Sequence, residues 1–376
     1  MTANVGLVFD DRYLSFNTGP ELIQDTDSYP FAETVAHASS PLLVGRAKHL
    51  MDIYGVTDRM TRINAFEPDD ATLLAVHTSN HLENVKALSK RRGGGETGSG
   101  APMGEGGERT ARLAAGGVIA ATEAVMTDRL RRAYALVRPP GHHAMPDYGM
   151  GYCVYASVAI AVRDAQKRFG VERVLVVDWD VHHGNGTQTA FYDDPSVLFI
   201  SIHQDDLYPA GWGAIGDQGE ARGTGFTINV PLPAGGGEAL YLAAFDRIVV
   251  PAALQYKPDL VIISAGQDAS VLDPLARMSL TTSSYREMCR RLIAVADECS
   301  GGRVVVAQEG GYSLKYAPYC TAAIAETLCG VADADAQVIE PYGPRAKTMP
   351  QATTIGLDGE AALQAIVEAN RRYWRL

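Results

Sequence analysis

Six short apolar runs constrain the fold of this chain more than any other feature of its sequence. Each run is continuous, rich in β-branched side chains, and bounded by polar, glycine or proline residues. Runs of this kind are typical of parallel strands that are buried on both faces of a sheet. They cover residues 134–137, 174–177, 197–202, 226–230, 260–264 and 304–308.

Longer segments with helical spacing of apolar residues lie between these runs. They cover residues 109–126, 155–168, 238–255 and 284–298. Alternating β and α units predict an α/β fold, with a parallel sheet that carries helices on both faces. No change of composition divides the chain between about residues 110 and 330, so we expect a single domain over residues 1–376.

Two segments depart from this alternation. Residues 91–107 contain eight glycines, too many for a helix or a strand, and this segment is either a plain surface loop or a loop at the rim of a site. Residues 333–354 are rich in alanine, proline and polar residues, and we expect a surface excursion there before a last helix at 359–372.

The charge and cysteine content exclude several classes of protein. Lys and Arg number 33 against 44 Asp and Glu, a net charge of −11, which argues against binding to nucleic acid or to anionic membranes. The five cysteines form no CxxC pair, as expected for free thiols in a reducing compartment. No apolar run reaches the length of a membrane span and the N-terminus does not resemble a signal peptide, so we expect a cytoplasmic protein.

The histidines indicate a metal site. Four of the nine form two adjacent pairs, His142-His143 and His182-His183, and each pair follows a predicted strand. Residues two apart on an extended chain point to the same side, so Asp180 and His182 can reach one point, with Asp178 one step back. A carboxylate and an imidazole that reach one point are a plausible half of a metal site.

A third ligand is expected from another strand end. Asp268 follows the apolar run 260–264, and ligands of open α/β sheets bind at the carboxyl ends of strands. Taken alone, Asp268 would be better explained as a helix cap or turn residue than as a ligand. Two carboxylates and one imidazole leave a position open for water, as in catalytic zinc sites. Tyr312, after the run 304–308, could offer its phenol to a bound oxygen, although most tyrosines only pack.

Four motifs in this order resemble the signature blocks of zinc-dependent histone deacetylases, closest to the class II type and its bacterial relatives, the histone-deacetylase-like amidohydrolases. The motifs are PGHH (140–143), DWDVHHGNG (178–186), SAGQD (264–268) and EGGY (309–312). The resemblance covers roughly residues 20–330. It implies the arginase/deacetylase fold, a three-layer α/β/α domain with a mainly parallel sheet of about eight strands.

The resemblance also implies a role for each matching residue. The zinc ligands would be Asp180, His182 and Asp268; the catalytic groups His142, His143, Tyr312, Asp178 and Asn185; the acyl-lysine channel Gly151, Tyr152, Tyr208, Gln267 and Gly311; and a potassium site Asp178, Asp180, His182, Ser201 and Ile202. It further implies deacetylation of an N-acetylated amine by metal-activated water. His142 beside Asp178 should be protonated, whereas His143 beside neutral Asn185 should titrate nearer neutrality and act as general base.

Several alternatives stay open or are disfavoured on particular residues. An arginase-like two-metal hydrolase would need carboxylates where this chain has Gly184 and Ser270. A catalytically inactive acyl-binding module is disfavoured, because every metal and catalytic position is intact. An acetylpolyamine or other small-amide amidohydrolase stays open, since the 91–107 loop lacks the Asp that grips peptide substrates in many relatives and the channel walls Tyr152 and Tyr208 replace the usual Phe. Fe(II) or Co(II) instead of zinc also stays open, as does a homo-oligomer.

Overall fold

An eight-stranded sheet forms the centre of the molecule in a computed structural model that describes residues 4–25, 29–342 and 354–376. In chain order the strands are β1 (Val5–Val8), β2 (Pro20–Asp25), β3 (Tyr29–Ala36), β4 (Thr61–Ile63), β5 (Gly95–Glu96), β6 (Gly98–Ser99), β7 (Pro102–Met103), β8 (Arg132–Ala135), β9 (Gly149–Met150), β10 (Val174–Asp178), β11 (Val197–Gln204), β12 (Thr227–Leu232), β13 (Leu260–Ala265) and β14 (Val304–Gln308). The sheet order is β12-β11-β10-β13-β14-β8-β1-β4, and every neighbouring pair is parallel.

Helices cover both faces of this sheet. They are α1 (Leu42–Ile53), α2 (Asp70–Leu73), α3 (Ser79–Lys90), α4 (Gly107–Met126), α5 (Ser157–Phe169), α6 (Asn185–Phe191), α7 (Glu238–Ala244), α8 (Val250–Tyr256), α9 (Thr282–Cys299), α10 (Ala317–Leu328) and α11 (Leu357–Asn370), with a π-helical turn at Phe245–Val249 and short 3-10 helices at Asp11–Ser15, Thr57–Arg59, Ala221–Gly223 and Asp333–Asp335. Among the described residues no helix is both long and apolar enough to cross a membrane.

Alternate residues of each central strand enter two separate hydrophobic cores. In β10, Leu175 and Val177 pack with α1 and with the helices from α7 to α11, whereas Val174 and Val176 pack with α4 and α5. Both faces of the strand are therefore buried, which is why its sequence is a continuous apolar run rather than an alternating one. The predicted three-layer α/β/α architecture is confirmed.

All six predicted strands are present, with ends that differ by a few residues. The predicted helix 238–255 is present as α7 and α8 joined by the π-helical turn. The structure also contains elements that were not predicted, among them β1, β4 and α10. Strands of four and three residues are too short to show a period, and nearly every residue of α10 is buried, so this helix has no polar face to mark it.

The expectation that residues 91–107 hold neither helix nor strand was wrong. They contain β5, β6 and β7 and the first residue of α4. β6 pairs in parallel with β9, and a Cβ atom on Gly98 would lie 2.0 Å from the Gly149 carbonyl oxygen. The glycine therefore permits two backbones to approach closely, which favours pairing here. Of the expected excursion at 333–354, residues 343–353 lie outside the described residues.

The topology brings four strand ends together. After β12 at one edge of the sheet, the chain returns to the other side of β10 to form β13, so the order reverses between β10 and β13. The carboxyl ends of β10, β13, β14 and β8 are adjacent, and each is followed by one of the sequence motifs. Ligands of open α/β sheets bind at such reversal points.

A buried ion pair joins α9 to α10, the helix that follows the Tyr312 loop. Arg286 donates to Glu326 at 2.6 Å, and side-chain exposure is 6 % and 1 %. We expect Glu326→Ala to lower the free energy of unfolding by about 3–5 kcal/mol, because it leaves a buried guanidinium without its counter-charge. The matched change Glu368→Ala removes an exposed pair with Arg371 and should cost less than about 1 kcal/mol. Denaturant unfolding of both variants measures the difference, and equal losses would contradict the assignment.

Candidate active site

Two carboxylates and one imidazole converge at the carboxyl ends of β10 and β13. His182 Nδ1 lies 3.1 Å from Asp180 Oδ1 and 3.1 Å from Asp268 Oδ2. One ligand atom from each residue lies within 4.8 Å of the other two, and all three residues are buried. The structure therefore brings together the three predicted metal ligands.

The backbone around this cluster fixes both carboxylates. Asp180 accepts from the backbone N–H of His182 at 2.9 Å and of Gly310 at 2.8 Å. Asp268 accepts from the backbone N–H of Val181 at 2.8 Å. Each carboxylate thus uses backbone donors for orientation and still directs an oxygen towards His182 Nδ1.

The charge of the cluster fits a divalent cation. Asp180 and Asp268 have no solvent exposure, and a buried carboxylate is costly unless a cation neutralises it. Burial opposes a charge on His182, but hydrogen bonds to Asp180 and Asp268 outweigh burial and raise its pKa to about 10. Without metal, the cluster therefore holds a proton on His182, and a bound cation would displace it.

Tyr312 approaches the same cluster across Gly310. A Cβ atom on Gly310 would lie 2.4 Å from Asp268 Oδ2, 2.7 Å from Asp180 Oδ2 and 2.9 Å from the Tyr312 hydroxyl. Only a glycine leaves room for these three oxygens around one point. Burial and the two carboxylates raise the pKa of Tyr312 well above its usual value, so the phenol stays protonated and can donate a hydrogen bond.

The tandem histidines follow β8 and carry opposite charge preferences. His142 Nδ1 lies 3.0 Å from Asp178 Oδ2. Burial disfavours a charge on this ring, but the charges of Asp180 and Asp178 outweigh burial and raise the pKa of His142 well above its usual value. The expectation that His142 is protonated agrees with this direction.

His143 lies beside an amide instead of a carboxylate. Its Nδ1 is 2.7 Å from Asn185 Oδ1. Burial, followed by the positive charges of His142 and His182, lowers the pKa of His143 well below its usual value. The expectation of titration near neutrality therefore needs correction: His143 favours the neutral ring, because the Asp180 carboxylate and the hydrogen bond to Asn185 do not outweigh burial and the cationic neighbours.

A cleft of about 340 Å³ leads from the surface to these groups. Its lining consists of Ser99, Gly100, His143, Gly151, Tyr152, His182, Leu207, Tyr208, Leu275 and Tyr312. The structure thus places three of the five expected channel residues, Gly151, Tyr152 and Tyr208, in the cleft. Ser99 and Gly100 belong to the glycine-rich segment, which confirms the rim alternative for that segment over a plain surface loop.

Backbone hydrogen bonds tie the glycine-rich rim to the channel wall. Gly151 N–H donates to the Ser99 carbonyl at 3.0 Å, and Tyr152 N–H donates to the Gly100 carbonyl at 2.7 Å. Tyr152 adopts a left-handed backbone with φ of 67°, a conformation that costs free energy for a bulky residue. The bond to Gly100 helps to hold this conformation, with the Tyr152 ring 5.7 Å from that of Tyr312.

Gln267 and Gly311 were expected in the channel, and the structure places them elsewhere. Gln267 is 1 % exposed, and its side-chain oxygen accepts from Gln308 at 2.7 Å and from Thr321 at 2.9 Å. Gly311 packs against Gln267. Both residues line a separate small cavity, which Tyr312 also lines, and the hydrogen bonds from Gln308 and Thr321 hold the buried amide of Gln267 there.

Of the expected potassium residues, Asp178, Ser201 and Ile202 lie on the neighbouring strands β10 and β11, whereas Asp180 and His182 lie in the loop that follows β10. Asp178 at the end of β10 is the register partner of Ser201 in β11, which Ile202 follows. Asp178 is fully buried; its Oδ1 accepts from the Asp180 N–H at 3.1 Å, and its Oδ2 faces His142 Nδ1. A potassium ion at this place stays a prediction.

Two residues that position the site were not singled out from the sequence. Glu309 Oε2 accepts from the backbone N–H of Gly141 at 2.7 Å and of His142 at 3.1 Å, and so ties the tandem-histidine loop to β14. Asp273 accepts from the backbone N–H of Tyr312 at 2.6 Å. Glu309 was visible as part of the EGGY motif, whereas Asp273 carries no local signal because its partner is distant in sequence.

Comparisons with known proteins agree with this arrangement. The family model described as "Histone deacetylase domain" matches residues 37–328. The chain belongs to the histone deacetylase family. It is 45 % identical over 340 residues to the "Histone deacetylase-like amidohydrolase" of Pseudomonas aeruginosa, a match that covers 89 % of this chain and 88 % of the relative.

Two further similarities extend to an archaeon and to a solved structure. The "Probable deacetylase" of Archaeoglobus fulgidus is 37 % identical over 327 residues, 86 % of each chain. The crystal structure of the HDA15 HD domain superposes with a TM-score of 0.85 at 34 % identity, covering 100 % of this chain and 96 % of the other. Membership of this deacetylase family and the matching fold show an enzyme that hydrolyses acyl amides, so the inactive-module alternative does not hold.

The tight approach at Gly310 gives a test of the site's geometry. Gly310→Ala should abolish metal retention and activity, because the added methyl group would occupy the point around which the Asp180, Asp268 and Tyr312 oxygens lie. The control Gly216→Ala adds a methyl group where nothing lies within 4 Å and should retain both. Elemental analysis and circular dichroism of the purified variants check the result. A folded Gly310→Ala protein with full metal content would contradict the geometry.

Proposed function

We propose that the protein is a zinc-dependent hydrolase that deacetylates an N-acetylated amine, of the acetyl-lysine type or a small-molecule amide. The observation that carries the proposal is the convergence of Asp180, His182 and Asp268 with the Tyr312 phenol at the base of one cleft. Beside this site, His142 favours the cationic imidazole and His143 favours the neutral one. This combination suits hydrolysis of an uncharged, unactivated amide.

The donor set favours one zinc ion per chain. Two carboxylates and an imidazole make three protein ligands, the pattern of a catalytic zinc site, although Fe(II) and Co(II) accept similar ligands. When bound, zinc would polarise the amide carbonyl and lower the pKa of water. Gly184 and Ser270 provide no carboxylate for a second ion.

Proton transfer is assigned to His143. Because Nδ1 faces the Asn185 oxygen, Nδ1 carries the proton and Nε2 is the ring nitrogen with a free lone pair. We assign Nε2 as the general base that takes a proton from the attacking water and returns it to the leaving amine. His142, held as a cation by Asp178 and Asp180, stabilises negative charge that develops on the substrate.

Tyr312 is assigned the second oxyanion contact. Its raised pKa keeps the hydroxyl protonated, and Asp273 holds the backbone of the loop that carries it. A donor placed before the reaction stabilises the charge of the transition state without reorganising. His143 gains a proton from water and then releases it to the leaving amine during turnover, whereas Tyr312 keeps its own proton.

The cleft favours a slender acyl amide with little contact to a peptide backbone. Its lining contains no Asp, Glu, Lys or Arg among the described residues. At the rim, Ser99 lines the cleft, whereas the Glu96 carboxylate turns to the Ala101 N–H. The charged end of an amine substrate would therefore stay in solvent. This favours a small-amide amidohydrolase as the second candidate function, with no protein substrate.

We propose a cytoplasmic protein with one catalytic domain over residues 1–376 and a structural potassium ion near Asp178 and Ser201. All five cysteines are free thiols, which supports a reducing compartment. Activity and melting temperature in potassium and in sodium buffers test the ion, and equal values in both would count against it.

The metal assignment predicts the effect of Asp268→Asn. The amide can still accept from Val181 N–H but carries no charge, so zinc content and activity should both fall by at least tenfold while the fold persists. The control Asp259→Asn alters a surface carboxylate that accepts from Arg173 N–H and should change neither. Metal analysis and an acetyl-lysine assay measure the outcome. Two catalytic ions per chain, or full activity of Asp268→Asn, would end the assignment.

The oxyanion assignment predicts the effect of Tyr312→Phe. This change keeps the ring and removes one donor, so kcat should fall by about 10²–10³, or roughly 3–4 kcal/mol, with a much smaller change in substrate affinity. Tyr256→Phe, which removes a hydroxyl bonded to the distant Pro195 carbonyl, serves as the control. Wild-type kcat in Tyr312→Phe would show that the phenol takes no part.

The rim predicts little discrimination by peptide length. A minimal acetyl-lysine amide and a longer peptide that carries it should have similar kcat/KM, because no buried hydrogen bond orients the flanking residues. Ser99→Asp should raise kcat/KM for the longer peptide, whereas Ser99→Ala should not. A wild-type preference of about 100-fold for the longer peptide, roughly 2.7 kcal/mol, would instead establish a protein deacetylase.

A further inference from the structure

The Asn185 amide has two orientations with opposite effects on His143. In the observed orientation Oδ1 lies 2.7 Å from His143 Nδ1, which leaves the Nε2 lone pair free. A rotated amide would present its NH₂ group to Nδ1. The ring proton would then sit on Nε2, and His143 could accept no proton there. An asparagine side chain can adopt either orientation unless its neighbours favour one. An aspartate has no such ambiguity, because either of its oxygens would accept the hydrogen bond from His143 Nδ1.

Two methionine sulfurs lie at the other side of this amide. Asn185 Nδ2 donates to Met145 Sδ at 3.1 Å and to Met150 Sδ at 3.3 Å. A thioether sulfur accepts a hydrogen bond weakly and cannot donate one. In the observed orientation both sulfurs therefore meet N–H groups. In the rotated orientation, the amide oxygen of the fully buried Asn185 would face the two sulfurs, which cannot donate, and would lose the hydrogen bond from His143 Nδ1.

We propose that Met145 and Met150 are positioning residues that hold Asn185 in the orientation that keeps His143 competent as a base. The inference rests on the proposed role of His143, but the orientation itself can be measured without activity. Methionine is adaptable in packing, so the placement of two sulfurs against one amide needs a rigid support.

The backbone of the loop supplies that support. Met145 N–H donates to the Tyr148 carbonyl and Met150 N–H donates to the Cys153 carbonyl, both at 3.0 Å. The Met145 carbonyl in turn faces Nδ1 of the buried His77 at 3.0 Å. The same loop carries Gly151 and Tyr152 of the cleft wall, so the sulfurs, the amide and the substrate channel share one frame.

A pure packing role makes a different prediction from an orienting role. Leucine has nearly the volume of methionine but no acceptor, so Met145→Leu/Met150→Leu retains packing and removes both sulfurs. We expect kcat of the metal-loaded enzyme to fall about tenfold, equivalent to roughly 1.4 kcal/mol, with KM changed less than about twofold. The control Met51→Leu/Met288→Leu alters two fully buried methionines elsewhere in the core and should leave kcat unchanged.

The decisive arm repeats the double substitution in an Asn185→Asp background. A carboxylate accepts through either oxygen, so the sulfurs have no orientation left to select. In this background we expect Met145→Leu/Met150→Leu to change kcat less than about twofold. An equal loss in both backgrounds would overturn the inference, because it would show that the methionines act by packing alone.

A spectroscopic readout separates this inference from the proposed function. In metal-loaded protein with ¹⁵N-labelled histidine, His143 should be protonated at Nδ1 in the wild type and should shift towards Nε2 protonation in the double leucine variant. An unchanged tautomer would overturn the inference. If His143→Ala kept full activity while the tautomer still responded to the methionines, the proposed base would be wrong and the orienting role would stand. If the double variant fails to fold, Met150→Leu alone, at the more exposed methionine, should give a shift in the same direction, and none would contradict the inference.

Discussion

The architecture of this site depends on the burial of three carboxylates at the carboxyl ends of central strands in a parallel sheet. Asp178, Asp180 and Asp268 have no solvent exposure, and a charge removed from water must be matched by donors or cations. Backbone N–H groups and the imidazoles of His142 and His182 supply part of this match. A divalent cation is the remaining partner that the donor set fits.

Several neighbouring features follow from this concentration of negative charge. Gly310 lacks a side chain because three oxygens occupy the space that a Cβ atom would take, and its N–H donates to Asp180. Glu309 ties the tandem-histidine loop to the same strand ends. Burial raises the pKa of Glu309 to about 7. Asp180, Asp268 and the tandem-histidine loop are thus held in part by hydrogen bonds that involve main-chain N–H groups, which favours a fixed geometry.

The sequence was informative where its signals are local. Continuous apolar runs predicted the six central strands, and the order of motifs after them predicted that Asp180, His182 and Asp268 would meet. Long-range contacts carry no such signal. Asp273 acts through the backbone of Tyr312, and Gln267 faces Gln308 and Thr321 instead of the cleft because those partners satisfy its amide. The pKa direction of His143 likewise depends on burial and on cationic neighbours that no spacing rule reveals.

The two tandem histidines show how a small covalent difference in a neighbouring side chain gives two rings opposite charge preferences. Both rings are buried, both follow β8, and each presents Nδ1 to an oxygen at 3.0 Å or less. For His142 that oxygen belongs to a carboxylate and favours the cation; for His143 it belongs to an amide and leaves burial to favour the neutral ring. In the mechanism that we propose, this replacement of one carboxylate oxygen by an NH₂ group gives charge stabilisation to His142 and proton transfer to His143. An amide, unlike a carboxylate, has two different ends, so the proposed role of Asn185 needs neighbours that only accept, and the atoms that accept from its Nδ2 are the sulfurs of Met145 and Met150.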